Sequence, residues 1–360
     1  MGHRIYNFAA GPAMLPEPVL EQLQAELRDC RGSGMSAMEL PHRGALFKQI
    51  AVEAESDLRA LLAVPDDYAV LFLHGGASSH FAAIPMNLAA GRSVAYVNGG
   101  YWSTKAIAAA RAYAHVDIAA DAAASDYRDI VPAAEWNVPA DAVYVHYTAN
   151  ETIGGVEQPD TPAVEDVPLV SDMTSTLLSR PLEVGRYGLI YAGAQKNIGP
   201  AGLTVVIVRR DLLGEPMPAT PPTFDYRRQD EAHSILNTPP TWAWYVAGLV
   251  FKWIAAEGGL AAMEAAARRK SALLYGAIDA SDFYINRIAP RARSLTNVPF
   301  QLAEPALETE FLLAAADAGL KHLEGHRSVG GLRASFYNAM PEAGVAALVD
   351  FMRDFEQRHG

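Results

Sequence analysis

Six short apolar runs, YAVLFLH, SVAYVNG, DAVYVHY, PLVSD, GLIYAG and LTVVIV, recur between residues 68 and 208, and in the first half of the chain they alternate with helical segments such as HFAAIPMNLAA and WSTKAIAAARAYA. Each run is too short for a stable helix and apolar at successive positions, so a strand made from it must be covered on both faces. Alternation of such strands with helices dictates an α/β layer on a mostly parallel sheet. A sheet of this kind binds ligands outside the carboxyl ends of its strands, which makes the polar residues just past each run the candidate site.

Four run ends carry suitable residues. HGGASSHF offers Gly75 and Gly76, where a backbone can approach an anion, and then Ala77, Ser78 and Ser79, opening a helix whose first amides face a phosphate. No Lys-Ser or Lys-Thr follows, so this is not a nucleotide P-loop. NGGYW supplies Trp102, an aromatic plane for a flat ligand. HYTANETIGG supplies Asn150 and Thr152 as neutral hydrogen-bonding groups, and VPLVSDMTST delivers Asp172. Downstream, YGLIYAGAQKNIGPAGLTVVIV holds a single charge, the amine of Lys196. Desolvation disfavours an ammonium, and a lysine so placed can form a Schiff base with an aldehyde. A lysine and an acid at successive strand ends suit pyridoxal phosphate (PLP): the lysine carries the aldehyde and Asp172 keeps the pyridine nitrogen protonated. Taken singly, the glycine pair reads as a turn, Trp102 as core, Asp172 as a helix cap and Lys196 as a loop lysine. Their coincidence at successive strand ends points to one site.

HRG at 42–44 and HRSVGGLRAS at 326–335 supply His42, Arg43, His326, Arg327 and Arg333. Arginine forks grip carboxylate and phosphate bidentately. The plainer alternative, pairing with surface glutamates, is weakest for Arg333, which lies inside an apolar run where an unpaired charge is costly.

Half of the 360 residues are apolar, enough for a sizeable core in two domains or in one domain with an appendage. A net charge of −12 without a basic tract argues against nucleic acid. The single cysteine, Cys30, excludes an internal disulfide and a cysteine metal cluster, and favours a reducing compartment, with the cytoplasm as default. No metal is expected. MGHRIYNFAAGPAMLP lacks the apolar core of a secretory signal, and WAWYVAGLVFKWIAA is too short to span a bilayer and contains Lys252, so no membrane role is expected. It reads as a core or interface helix. Helices are expected over Glu17–Asp29 and Ile50–Ala63, and an extended loop over GEPMPATPPTF. Thr238 of NTPPTWAWY is expected to cap the long helix that ends near Ala256. Another helix follows from Leu260 to Gly276; then the strand candidates NVPFQLA and GLRASFY alternate with helices over 307–318 and 341–357. The expected division is 1–256, an N-terminal segment with a large domain, and 257–360, a smaller α+β domain.

NFAAGPAMLP, MELPHRG, FLHGGASSHFAA, GYWSTKA, HYTANETIGG, YAGAQKNIGPAGLTVVIVR, LNTPPTWAWY and GHRSVGGLRASFYNAMP, spread nearly end to end, resemble the phosphoserine aminotransferases, class V PLP enzymes of fold type I. AGAQKNIGPAG together with NTPPT and GHRSVGGLRAS is highly specific. The resemblance implies an aspartate-aminotransferase-like fold, with a mostly parallel seven-stranded sheet in the large domain. It implies that Lys196 carries the cofactor, Asp172 pairs with the pyridine nitrogen and Trp102 stacks on the ring, while Ala77, Ser78, Thr152 and Gln195 hold its phosphate and phenolate sides. Asn237 and Thr238 would reach the phosphate of the neighbouring subunit in a homodimer. Arg43, His42, His326, Arg327 and Arg333 would bind the substrate's carboxylate and phosphate. Some relatives carry arginine at Ser78 and others serine at Ala10, which bears on affinity alone.

The implied reaction takes the amino group of L-glutamate to 3-phosphohydroxypyruvate, giving O-phospho-L-serine and 2-oxoglutarate. It extends to 3-hydroxy-2-oxo-4-phosphonooxybutanoate, which gives 4-phosphohydroxy-L-threonine for pyridoxine. Three rivals stand beside it. Desulfuration needs a mobile cysteine, and Cys30 sits in a helical region away from any glycine-rich catalytic loop. Alanine-glyoxylate transfer has no phosphate for the arginines to bind. A non-catalytic PLP-binding protein has no use for them.

Overall fold

The structure, a computed structural model, describes residues 4–164 and 166–360. The apolar runs and one further segment pair into a single sheet: β1 (Tyr68–Gly75), β2 (Ser93–Asn98), β3 (His115–Asp121), β4 (Val145–Thr148), β5 (Leu169–Asp172), β6 (Leu189–Gly193) and β7 (Gly202–Arg209). Their spatial order is β1-β7-β6-β5-β4-β2-β3. Neighbours from β3 to β6 are parallel, and β7 is antiparallel to both β6 and β1. The β6–β7 connection, residues 194–201, is shorter than the dozen or so residues a parallel crossover needs. The reversal of β7 brings β1 back into line with the parallel set, so their carboxyl ends share one edge.

Side chains alternate across each strand, and the two faces feed separate cores. Val70 and Phe72 of β1 join one cluster, Ala69, Leu71 and Leu73 the other. The first face is covered by α1 (Glu17–Ala25), α2 (Ala45–Leu62) and α6 (Thr241–Ala256), the second by α3 (Ala77–Ile84), α4 (Tyr101–Ala110) and the short α5 (Tyr226–Glu231). Trp244 of α6 stacks on Phe72 at 4.6 Å and meets Phe47 edge-on at 5.7 Å. Such pairs add about 0.5–1.5 kcal/mol each beyond area burial. Helix α6 is thus a core helix, and no single described helix is long and apolar enough to cross a bilayer.

One expected cap is absent. Helix α6 begins at Thr241, with Pro240 in the N-cap position and no side-chain cap. With Thr238 as the cap, the second helical position would be Pro240, which has no N–H to donate. Helix α1 ends at Ala25, short of Asp29, and α2 begins at Ala45, ahead of Ile50.

A second core surrounds the antiparallel strands β8 (Tyr284–Ile285), β9 (Asn297–Leu302) and β10 (Leu332–Ser335), with helices α7 (Gly259–Asp279), α8 (Glu308–Asp317) and α9 (Glu342–His359). Helix α7 belongs to both units: Leu260 and Met263 lie in the first core, Leu274, Tyr275 and Ile278 in the second. The chain's start joins the second. Tyr6–Asn7 pairs in parallel with Leu320–Lys321, and Phe8 and Met14 are buried among its side chains.

A small hairpin, Asn150–Glu151 against Val156–Glu157, links the units. Asn150 Nδ2 donates to Asn297 Oδ1 (2.8 Å), Ser294 N to Gly155 O (3.0 Å), and Leu295 N to Glu157 Oε2 (2.8 Å). At Gly155 φ is +71°, and a Cβ would lie 2.3 Å from Pro299 Cδ, so this crossing requires glycine.

Candidate active site

The shared edge of the sheet opens on a cavity of about 300 Å³. Five of the seven strands send a group into it. The turn after β1 brings Gly76, Ala77 and Ser78, and β2 is followed by Trp102. Next come Thr148, Asn150 and Thr152 after β4, Asp172 at the end of β5, and Gln195 and Lys196 after β6. Ala10 and Gly11 come from the chain's start, His326 and Arg333 from the second unit.

Lys196 is 9% exposed, and its Nζ donates to Thr152 Oγ1 at 2.5 Å. Burial pushes its amine from 10.5 down to about 8; Asp172 opposes that shift and Arg333 adds to it. Asp172 is buried as well. Burial raises its carboxyl above the ordinary range, against the hydroxyl and N–H of Thr174, the charge of Lys196 and the hydroxyl of Tyr191. Its Oδ1 accepts from Thr174 N at 2.9 Å, so the turn after β5 fixes its direction.

Helix α3 has Gly76 in the N-cap position and no side-chain cap, leaving its first amides open toward the cavity. The turn is tight: Gly75 has φ +96°, and a Cβ on Gly193 would lie 2.7 Å from Gln195 Oε1 and 3.2 Å from Ala77 N. Open helix amides attract a phosphate through both hydrogen bonds and the helix dipole. Two buried polar atoms on the walls, Trp102 Nε1 and Asn150 Oδ1, lack partners. A partly neutral lysine, a carboxylate, an indole plane and an uncapped helix start in a space of this size fit PLP's aldehyde, ring nitrogen, ring and phosphate.

Arg333 and His326 form the opposite wall. Burial lowers Arg333, its Nε has no partner, and it has no ion pair among the described residues. Burial, Arg333 and then Arg327 lower His326, whose Nδ1 meets Ser328 Oγ at 2.7 Å. A guanidinium held without a carboxylate is ready for an anion.

The expected site residues therefore divide. Ala77, Ser78, Trp102, Thr152, Asp172, Gln195, Lys196, His326 and Arg333 line the cavity, whereas His42, Arg43, Asn237, Thr238 and Arg327 do not. Arg327 is exposed on the loop before β10. Arg43 lines a separate groove with Ile235, Leu236 and Trp244. Asn237 and Thr238 are exposed, and the carbonyl of Thr238 accepts from His74 Nε2 at 2.7 Å, two residues before Gly76.

Glu151 is a polar residue that sequence reasoning passed over. It is 2% exposed, and its carboxylate receives the backbone N–H groups of Trp102 and Ser103 at the start of α4. Only its place beside Thr152 in NETIGG could have flagged it. Beyond it lies a larger cavity of about 650 Å³, with an apolar floor of Ile153, Ile285, Ile288, Phe300 and Leu332. That space contains neither Lys196 nor Asp172, so the smaller cavity is the candidate for the chemistry.

Residues 5–348 match the family model described as aminotransferase class-V. Among curated proteins, the phosphoserine aminotransferase of Stenotrophomonas maltophilia (strain K279a) is 54% identical over 359 residues, 99% of each chain. Among solved structures, phosphoserine aminotransferase from Bacillus circulans subsp. alkalophilus superimposes with a TM-score of 0.97, at 45% identity and 100% coverage of both chains. The PLP-bound phosphoserine aminotransferase of Trichomonas vaginalis has a TM-score of 0.92 at 41% identity, covering 97% of this chain and all of that one.

Proposed function

This chain belongs to the class V aminotransferases, and within them to the phosphoserine aminotransferases, and from that premise we propose that its cleft moves an amino group from L-glutamate to 3-phosphohydroxypyruvate. The products are 2-oxoglutarate and O-phospho-L-serine, so atoms balance without a further reactant. The observation that carries the reading is Lys196, a buried amine lowered to about 8 beside Asp172 and Thr152.

PLP, when bound, supplies the aldehyde that receives the amino group and a ring that accepts electrons from the substrate's α-carbon. Lys196 Nζ takes the α-proton as general base, a role suited to an amine whose pKa lies near the working pH. Thr152 Oγ1 holds that nitrogen in place. Asp172, whose carboxylate is aimed by Thr174, would pair with the ring nitrogen. The amides of Ala77 and Ser78 would hold the cofactor's phosphate, Gln195 its phenolate side, and Trp102 would stack on the ring. Arg333 and His326 orient the substrate's carboxylate.

Arg43, His42, Asn237 and Thr238 lie outside this cleft in their own protomer, which supports a homodimer in which they complete the partner's site. Arg43 and Arg327, without ion-pair partners among the described residues, then bind the substrate's phosphate. We place the enzyme in the cytoplasm. The adjoining cavity leaves room for the one-carbon-longer 3-hydroxy-2-oxo-4-phosphonooxybutanoate as a second substrate.

The test is the visible absorption spectrum before and after O-phospho-L-serine is added without a keto acid. The expected yellow band gives way to the pyridoxamine spectrum, and Lys196→Ala folds normally without turnover. A band unmoved by phosphoserine overturns the substrate; undiminished turnover in Lys196→Ala overturns the site.

A further inference from the structure

The carboxylate of Glu151 accepts three hydrogen bonds, all from the start of α4. Its Oε2 accepts from Trp102 N at 2.8 Å; its Oε1 accepts from Ser103 N and from Ser103 Oγ, both at 2.8 Å. Ser103 Oγ in turn accepts from Gly99 N (2.9 Å) and Gly100 N (2.8 Å), and of the acceptors within its reach the carboxylate at 2.8 Å is nearer than Gly100 O (3.0 Å) or Asn98 Oδ1 (3.4 Å). Both oxygens of Glu151 thus face donors. Burial, and to a smaller extent the charge of Asp172, raise its carboxyl above the ordinary range, and the three donors from Ser103 and Trp102 oppose that shift by favouring the ionised form. A buried anion at the start of a helix is stabilised by unpaired amides and by the helix dipole. Gly100 leaves the room: a Cβ there would lie 2.8 Å from the carboxyl carbon.

Glu151 comes from the hairpin that also carries Thr152, and the hairpin is stitched to β9. Trp102 is therefore referenced to the Lys196 cleft through a fixed frame rather than through its own helix alone. We propose that Glu151 is the positioning residue for the Trp102 ring, fixing through the backbone of residues 102 and 103 the plane on which the cofactor stacks. The proposal rests on the reading of the cleft as a PLP site. Glu151 touches neither cofactor nor substrate in this role.

Glutamine tests it with almost no change of shape. Its carbonyl oxygen can take both Ser103 donors, but its NH₂ then faces the N–H of Trp102, donor against donor. In Glu151→Gln, the PLP affinity of cofactor-stripped, re-titrated enzyme should fall about tenfold, equivalent to about 1.4 kcal/mol. The circular dichroism of the visible cofactor band should weaken with it, a signal of ring orientation that general destabilisation does not move. In a Trp102→Ala background the same substitution should change affinity less than about twofold, because the ring it positions is gone. An equal loss in both backgrounds, or no loss in Glu151→Gln, overturns the proposal. Should Glu151→Gln not fold, Gly100→Ala pushes the carboxylate from its other side and must give the same background-dependent loss. The cofactor reading fails separately, if the parent chain takes up no PLP. Displacement of Trp102 is still read then, as greater acrylamide quenching of the fluorescence that Trp102→Phe removes; unchanged quenching overturns the proposal.

Discussion

At the scale of single residues, the chemistry depends on groups kept away from their usual partners. Lys196 is held at about 8 because burial outweighs the attraction of Asp172. Below that value Nζ carries a proton and has no lone pair to offer an aldehyde; above it the amine is free. The rate at which cofactor-stripped enzyme captures PLP should therefore rise between pH 7 and 9 and level off, as followed by stopped-flow absorbance. An ordinary lysine near 10.5 would still be accelerating at pH 10. Lys196, Asp172 and Arg333 were legible in sequence because each is a charge in an apolar run, a placement with few structural excuses. Glu151 was not, because HYTANETIGG points to its neutral neighbours Asn150 and Thr152 as the site groups and nothing in the segment marks the glutamate as buried. Its burial exists only after the turn folds under the start of α4, a contact 49 residues back along the chain.

Among the elements, the sheet was legible from its apolar runs, and β3 alone was not: HVDIAAD is exposed or half-buried along most of its length, as suits an edge strand. The start of α6 was misread because proline was credited with a helical first turn that begins two residues later. Hairpin 150–157 gave no signal, since its strands are two residues each and its importance lies in what it joins. Gly155 is its weak point. In Gly155→Ala the new Cβ meets Pro299 Cδ at 2.3 Å and Asn297 O at 2.8 Å, with φ already at +71°. The combined clash and strain should cost about 3 kcal/mol or more, read as a lower urea midpoint. PLP affinity should fall too, because the hairpin carries Thr152 and Glu151.

For the whole molecule, the proposed division of labour between protomers makes its own prediction. Lys196→Ala and Arg43→Ala should each be inactive as homodimers, yet a mixed dimer places both defects in one site and leaves the other intact. Random assortment of equal amounts then restores roughly a quarter of the parental sites. Recovery is measured as phosphoserine-forming activity after co-expression; no recovery means that Arg43 does not serve its neighbour. The path of the chain has a different consequence. Phe8 is sealed into the second core, and its carbonyl accepts from Ser335 N at 3.1 Å. Ala10 and Gly11, just beyond, form a wall of the cleft. On the ribosome Phe8 must therefore wait until Ser335 has been made. The central sheet can form early, but the cleft closes only after β10 has emerged, so a truncated nascent chain cannot carry a finished catalytic pocket.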